Sequence, residues 1–143
     1  MAAKLIRSNE EAIDCLRKNK PTSGYQMLQE SVDMAIDALK NTEWIKVSDK
    51  LPKPEEEVLV LTESKTGNRK ITTALYEDGT ILENESIWYW IDCDFEKYNE
   101  EEECYVIDEG WWENRHYNTD NVYNNAIDDE VIAWMPLPSK DNI

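Results

Sequence analysis

Carboxylates dominate one stretch of the chain, and their spacing raises the question of which positive ligand they serve. Residues 92–104 read DCDFEKYNEEEEC, with seven acidic residues among thirteen. Starting at Asp92, oxygen-bearing side chains follow the ligand spacing of an EF-hand calcium loop as far as Glu103. Such a loop needs glycine at its sixth position for a sharp turn, and Lys97 stands there. The sequence therefore predicts no specific metal site.

Catalytic chemistry has little support elsewhere in the chain. The single histidine, His116, lies in an asparagine-rich stretch without the serine or cysteine context of a nucleophilic site. The four glycines are isolated, so no phosphate-binding loop is predicted. The three cysteines lack C-x-x-C spacing, and we interpret them as reduced thiols. We expect a non-enzymatic protein with no catalytic residues and no cofactor.

The net charge of −16 is concentrated in one segment. Residues 77–113 hold fourteen acidic residues and one base, whereas acids and bases balance in residues 1–42 and again in residues 43–76. A chain polarised in this way attracts positively charged partners. The sequence therefore predicts a basic protein as the partner and no direct binding to nucleic acid.

Two further patterns concern the cellular location. The longest apolar runs are far shorter than the roughly 20 residues of a membrane span. The first residues, MAAKLIRSNEEAID, contain no apolar signal-peptide core. We therefore expect a cytoplasmic protein that contacts no membrane.

Residues 1–42 are predicted to form a helical hairpin. Ser8 followed by Glu11 is a capping-box pattern, and apolar residues recur behind it at helical spacing. A second apolar stripe runs from about Tyr25 to Lys40. This hairpin is interpreted as a packing unit, and homodimerisation through its helices stays open.

From residue 43 onward the apolar period becomes that of strands, and residues 43–143 are predicted to form one small domain. Asp78-Gly79 is a strong hairpin-turn signal, and residues 114–126 are asparagine-rich and turn-like, without a clear period. The predicted strands are Trp44–Ser48, Val58–Glu63, Lys70–Tyr76, Thr80–Leu82, Ile87–Ile91, Cys104–Ile107 and Val131–Pro138. The fold class is α+β, a helical hairpin followed by a small, mostly antiparallel β-sheet domain.

Three motifs in the second domain carry a family resemblance. EWIKVSDKLP begins at Glu43, VLVL follows at Val58, and IAWMPLP ends at Pro138. These motifs resemble the family known as domain of unknown function 551, which occurs largely in bacteriophages and prophages. The resemblance implies a phage or prophage origin and a compact β domain, and it implies no activity. Residues 84–127, which carry most of the net negative charge, are interpreted as an insertion before the closing motif.

The functional hypothesis is that residues 92–109 face a basic, nucleic-acid-binding host protein, whose groove they fill as a nucleic-acid mimic. Such a protein would act as an inhibitor of host defence in the host bacterial cytoplasm. Carboxylates would supply the charge and two adjacent tryptophans the apolar anchors. The candidate partner-binding residues are Asp92, Asp94, Glu96, Glu100, Glu101, Glu102, Glu103, Asp108, Glu109, Trp111 and Trp112.

Two alternatives remain beside this hypothesis. In one, the six tryptophans bind a small molecule, either nucleotide-like or cationic. The negative charge disfavours phosphates there, because it repels them. In the other, the segment is a solvated, acidic part of a structural or accessory phage protein without mimicry.

Overall fold

The computed structural model of the chain describes residues 8–91 and 93–141, and these divide into two compact units. The first unit ends at Glu43, and the second begins at Trp44. Within the described residues, no helix has the length and apolar character of a membrane span. The α+β fold class predicted from the sequence is confirmed.

The first unit consists of two helices, α1 (Asn9–Asn19) and α2 (Gln26–Lys40). Ser8 caps α1 as predicted, since its Oγ accepts a hydrogen bond from the backbone N–H of Glu11 at 3.1 Å. Ile13 of α1 and Ile36 of α2 are buried. Other apolar residues of α2 stay exposed, among them Met27 and Met34. Homodimerisation through these helices stays a prediction.

The second unit is built on a six-stranded antiparallel sheet with the strand order β1-β8-β2-β3-β6-β7, beside a two-stranded sheet formed by β4 and β5. The strands are β1 (Ile45–Lys46), β2 (Val58–Glu63), β3 (Arg69–Glu77), β4 (Lys97–Asn99), β5 (Cys104–Val106), β6 (Gly110–Asn118), β7 (Asn121–Ala126) and β8 (Glu130–Pro136). A short 3-10 helix, Glu83–Glu85, lies between β3 and β4.

One face of the large sheet carries an apolar core that joins the two ends of the unit. This frame cluster consists of buried Val58, Val60, Ala74, Val131 and Trp134, with Ile45, Val47, Trp111 and Ile127 packed against it. Ile45 of β1 lies directly opposite Trp134 of β8. The Trp134 indole donates a hydrogen bond from Nε1 to the backbone oxygen of Lys50 at 2.7 Å. The first and last sequence motifs are thereby fixed to each other.

A second aromatic core, the cover cluster, lies on the other side of β3 and β6. It consists of Trp90, Phe95 and Ile107, with Ile81, Trp88, Cys93 and Trp112 packed against them. Because successive strand residues point to opposite faces, Leu75 and its partner Trp112 leave the sheet on the side opposite Ala74. The cover cluster attaches the acidic segment to the sheet.

The strand prediction for residues 87–91 was wrong. These residues alternate between exposed and covered, as a strand does, since Trp88 and Trp90 turn inward. Among the described residues no strand pairs with their backbone, so side-chain packing and side-chain hydrogen bonds hold the segment instead of a hydrogen-bond ladder. The predicted strand at Thr80–Leu82 is likewise reduced to a single bridge between Leu82 and Val106.

Two turn predictions also need correction. Asp78-Gly79 does form a turn, in which Asp78 Oδ1 accepts a hydrogen bond from the Thr80 N–H at 3.0 Å. It does not join a hairpin, because β3 pairs with β2 and β6. The asparagine-rich residues 114–126 form most of β6 and β7, a hairpin whose weak apolar alternation concealed it.

Candidate functional site

Four consecutive glutamates form the turn of the β4–β5 hairpin. Asn99 and Cys104 are paired across the hairpin and leave Glu100–Glu103 as its loop, which we call the acidic tip. The Asn99 Oδ1 atom accepts hydrogen bonds from the backbone N–H groups of Glu101 and Glu102, at 3.0 and 3.1 Å. All four glutamates are exposed. The tip is therefore an ordered, highly charged turn.

Glu103 closes the acidic tip in an unusual backbone conformation. Its φ of 52° lies in the left-handed region, which non-glycine residues rarely adopt. Glycine would fit this position with less strain, and a glutamate here keeps a fourth negative charge in the turn.

Two further glutamates, which the sequence reasoning had not singled out, lie next to the hairpin. Glu83 Oε1 accepts a hydrogen bond from the backbone N–H of Tyr105 at 3.2 Å, which places the 3-10 helix against β5. Burial and then the charges of Glu83, Glu102 and Glu85 raise the pKa of the Cys104 thiol. The charges of three carboxylates therefore all disfavour the thiolate of Cys104. Membership of Glu83 and Glu85 in the charge-rich segment 77–113 was their only sequence signal.

Two exposed tyrosines accompany the acidic tip. Tyr98 of β4 lies directly opposite Tyr105 of β5, and their ring centroids are 4.9 Å apart in an edge-on arrangement. The exposed fractions of the two residues are 51% and 40%. Tyrosine combines a large apolar surface with a polar hydroxyl, and it is frequent among interface anchors. The hairpin thus presents aromatic surface beside its carboxylates.

Positive charge is scarce around the acidic tip. The salt bridges of the described residues involve no glutamate of the tip. Lys97 of β4 is the only base between residues 77 and 113, and it is exposed. The negative charge of the tip is therefore not neutralised within the described part of the unit.

The remaining predicted acids are distributed around the hairpin. Asp94 and Glu96 are exposed just before β4. Asp108 has an internal role, because its Oδ1 accepts a hydrogen bond from the Glu96 N–H at 3.2 Å. Glu109 accepts one from the Tyr76 hydroxyl at 3.3 Å. Asp92 lies outside the described residues.

The two predicted tryptophan anchors lie on opposite faces of β6. Trp111 packs in the frame cluster, and its ring centroid is 5.3 Å from that of Tyr76. Trp112 packs in the cover cluster and donates a hydrogen bond from Nε1 to the Asp108 backbone oxygen at 3.0 Å. Because both indoles are engaged in packing, a partner-binding role for them stays a prediction, and the exposed tyrosines are better placed to act as anchors.

The calcium-loop spacing does not become a coordination shell in the described residues. Lys97 begins a strand where the loop pattern would require its sharp turn. Among residues 8–91 and 93–141, no group of three or more His, Cys, Asp or Glu side chains is arranged to hold a metal ion.

A buried carboxyl pair lies beneath the segment that leads to the hairpin. Glu77 ends β3, and its side chain is completely buried. Burial and then the adjacent Glu55 carboxyl raise the pKa of Glu77 to about 9. Glu55 Oε2 accepts a hydrogen bond from the Ile87 N–H at 2.6 Å. At neutral pH, Glu77 is therefore protonated and able to donate a hydrogen bond to Glu55, which in turn fixes residue 87.

The comparisons with known proteins support the family resemblance. A sequence model described as protein of unknown function (DUF551) matches residues 43–140. The chain belongs to the DUF551 family. Its matched region coincides with the second unit and includes the acidic hairpin, so the interpretation of residues 84–127 as an insertion stays a prediction. No curated protein and no solved structure matches the chain.

Proposed function

We propose that this DUF551 protein is a non-enzymatic binding protein whose acidic tip enters the nucleic-acid-binding groove of a basic host protein. The observation that carries the proposal is the ordered turn of four exposed glutamates, Glu100–Glu103, which form no salt bridge within the described residues. Double-stranded DNA carries one negative charge per about 1.7 Å of its axis, and proteins that bind it present lysine and arginine to match. A dense, fixed row of carboxylates is complementary to such a surface.

The order of the hairpin is important to this proposal. A disordered acidic tail loses conformational entropy when it binds, whereas the acidic tip already has its backbone fixed by Asn99 and by the β4–β5 pairing. Preorganised charge accelerates encounter with a basic partner and favours the correct orientation. Tyr98 and Tyr105 then supply short-range contact, which charge alone does not provide.

A phage-type protein with this surface would inhibit a nucleic-acid-binding protein of the host, such as a nuclease that attacks phage DNA. The family resemblance motivates the phage association, and the charge motivates the class of partner. The inhibitor would act in the host bacterial cytoplasm by occupying the groove that DNA normally fills. It would need neither a catalytic residue nor a cofactor.

The first test is capture of partners from a bacterial lysate with a tagged protein, followed by mass spectrometry. The matched variants are a tip variant, with Glu100–Glu103 all replaced by glutamine, and a control variant that removes four exposed carboxylates elsewhere. The control substitutions are Asp49→Asn, Asp128→Asn, Glu130→Gln and Asp141→Asn. Both variants change the net charge equally, so only position distinguishes them.

We expect the wild type and the control variant to capture a nucleic-acid-binding protein that the tip variant loses. Added double-stranded DNA should displace the captured protein, since mimicry requires DNA and the hairpin to share one groove. Equal capture by the tip variant, or capture that excess DNA leaves unchanged, would sink the proposal. The acidic tip would then be a solvated turn.

A further inference from the structure

The outer edge of the large sheet at β7 is open. β7 is the last strand in the sheet order and pairs only with β6 among the described strands. The Ile127 N–H donates a hydrogen bond to the Trp111 backbone oxygen at 3.0 Å, so Ile127 and Trp111 are a hydrogen-bonded pair of this hairpin. Hydrogen-bonded and non-hydrogen-bonded pairs alternate along an antiparallel ladder. The backbone N–H and C=O groups of Val122, Asn124 and Ala126 therefore point away from β6. No other strand of the described residues pairs with these groups.

This edge lacks the features that normally protect an exposed strand. The sequence of β7 is NVYNNA, with neither a charged residue nor a proline. Val122 and Tyr123 are exposed, with 40% and 53% of their surfaces accessible. The chain has a net charge of −16, yet this six-residue edge strand contains no charged residue. Unprotected edges of this kind accept an additional strand from another chain.

A cleft adjoins the open edge and gives the added strand a place for its side chains. It has a volume of about 840 Å³ and lies between the β6–β7 hairpin and a wall that includes Ile87, Tyr89 and Cys93. Asn114 and Asn124 face each other across the hairpin, and Asn124 donates a hydrogen bond to the Tyr89 backbone oxygen at 2.8 Å. Tyr89 and Ile91 are 83% and 60% exposed on the other wall. The cleft is therefore partly apolar and accessible.

The charge of the cleft determines which strand it fits. Glu57 and Asp120 contribute carboxylates to its lining, and the described lining contains neither lysine nor arginine. A second copy of this chain would itself carry a net charge of −16, which opposes self-association. A segment that carries lysine or arginine would instead be attracted to the two carboxylates.

We propose that an extended, basic segment of the partner protein pairs with β7 as an added strand and places side chains in the adjoining cleft. This inference rests on the proposed function only for the positive charge of the partner. The added strand hydrogen-bonds to Val122, Asn124 and Ala126 along the edge. Its basic side chains lie near Glu57 and Asp120, and its apolar side chains contact Tyr89 and Ile91.

The experiment uses the full chain and a synthetic probe peptide, Lys-Val-Lys-Thr-Lys-Val-Lys with blocked ends. Calorimetry measures its binding beside two analogues that carry backbone N-methyl groups on alternate residues, in opposite phases. A paired strand directs only alternate amides at its neighbour. We therefore expect one N-methylated peptide to bind at least about tenfold more weakly and the other to keep its affinity. Equal affinity of both analogues with the unmodified peptide would overturn the inference.

Protein variants separate this edge from the acidic tip. Val122→Pro removes one outward N–H and should weaken peptide binding about tenfold, whereas the tip variant should bind within about threefold of the wild type. Double replacement Glu57→Gln and Asp120→Asn should weaken binding several-fold. Peptide binding lost in the tip variant and kept in Val122→Pro would contradict the inference. So would a concentration-dependent dimer that Val122→Pro abolishes, because β7 would then pair with a second copy.

The two proposals can fail separately. Loss of lysate capture in the tip variant with unchanged peptide binding there supports both of them. If the two N-methylated peptides differ in affinity as expected but the tip variant captures the same proteins as the wild type, the edge site is supported and groove mimicry is contradicted. Circular dichroism of each variant checks that the sheet is formed, and the N-methylated peptides test the edge even if Val122→Pro unfolds.

Discussion

The frame cluster and the cover cluster are both aromatic, yet they differ in how their polar atoms are satisfied. In the frame, the Trp134 indole donates its hydrogen bond to the Lys50 oxygen. In the cover region, four buried polar atoms have no hydrogen-bond partner among the described residues. They are Trp90 Nε1, Glu55 Oε1 and both carboxyl oxygens of Glu77. Two carboxylates are both acceptors, so Glu55 and Glu77 become a bonded pair only when they share a proton. The buried indole of the frame cluster is hydrogen-bonded, whereas the hydrogen bond between Glu55 and Glu77 in the cover region forms only when one carboxyl group is protonated.

The largest expected contrast between the regions is in the pH dependence of stability. Because the pKa of Glu77 rises to about 9 in the folded protein from an ordinary 4.5, the unfolded chain binds fewer protons between these values. The Glu77 contribution is thus complete below about pH 4.5 and is lost as the pH rises through about 9. The free energy of unfolding should fall by at most about 1.4 kcal/mol per pH unit in this window.

Glu77→Gln tests this pH dependence directly. The amide is neutral, has similar volume and donates a hydrogen bond to Glu55, so the variant should be more stable than the wild type at about pH 8, by about 1–3 kcal/mol. Its unfolding free energy should also vary less between about pH 5 and pH 8 in urea titrations. Glu56→Gln, at an exposed neighbour, is the control. If the unfolding free energy of Glu77→Gln falls with pH as steeply as that of the wild type, the pH dependence belongs to other carboxylates.

A smaller contrast is expected from the same substitution in each cluster. Trp134→Phe removes an indole that donates a hydrogen bond, whereas Trp90→Phe removes one whose Nε1 has no geometric partner. We expect Trp134→Phe to cost about 1 kcal/mol more than Trp90→Phe, since the lost hydrogen bond is the main difference between two similarly buried rings. Urea unfolding of both variants measures this difference. A greater loss in Trp90→Phe would show that ring packing in the cover dominates.

The frame was predictable from sequence because its residues follow local rules. Val58 and Val60 alternate in a β-rich run, and Ile45 and Trp134 lie in family motifs at the two ends of the domain. The helical hairpin was equally predictable from sequence, because the Ser8 cap and the spacing of apolar residues are local signals of helices. These features depend on neighbouring residues in the chain.

The cover and the open edge were not predictable in the same way. Residues 87–91 have the composition of a strand, but no strand pairs with their backbone among the described residues, and pairing depends on the whole topology. Residues 114–126, which form most of the β6–β7 hairpin, are asparagine-rich and lack the apolar alternation that reveals a half-buried strand. Glu77 was hidden for another reason, since one glutamate among many acids gives no sign of burial. The acidic tip, by contrast, was visible as a run of four glutamates.

The most direct test of the central claim, that the acidic tip forms the functional face, is the association rate with a captured, purified partner across a range of salt concentrations. Wild type, tip variant and control variant are compared after checking that their unfolding free energies agree within about 0.5 kcal/mol. We predict that only the tip variant associates more slowly at low salt and loses much of the salt dependence. Equal slowing in the tip and control variants would contradict the account, because net charge rather than the hairpin would then drive binding.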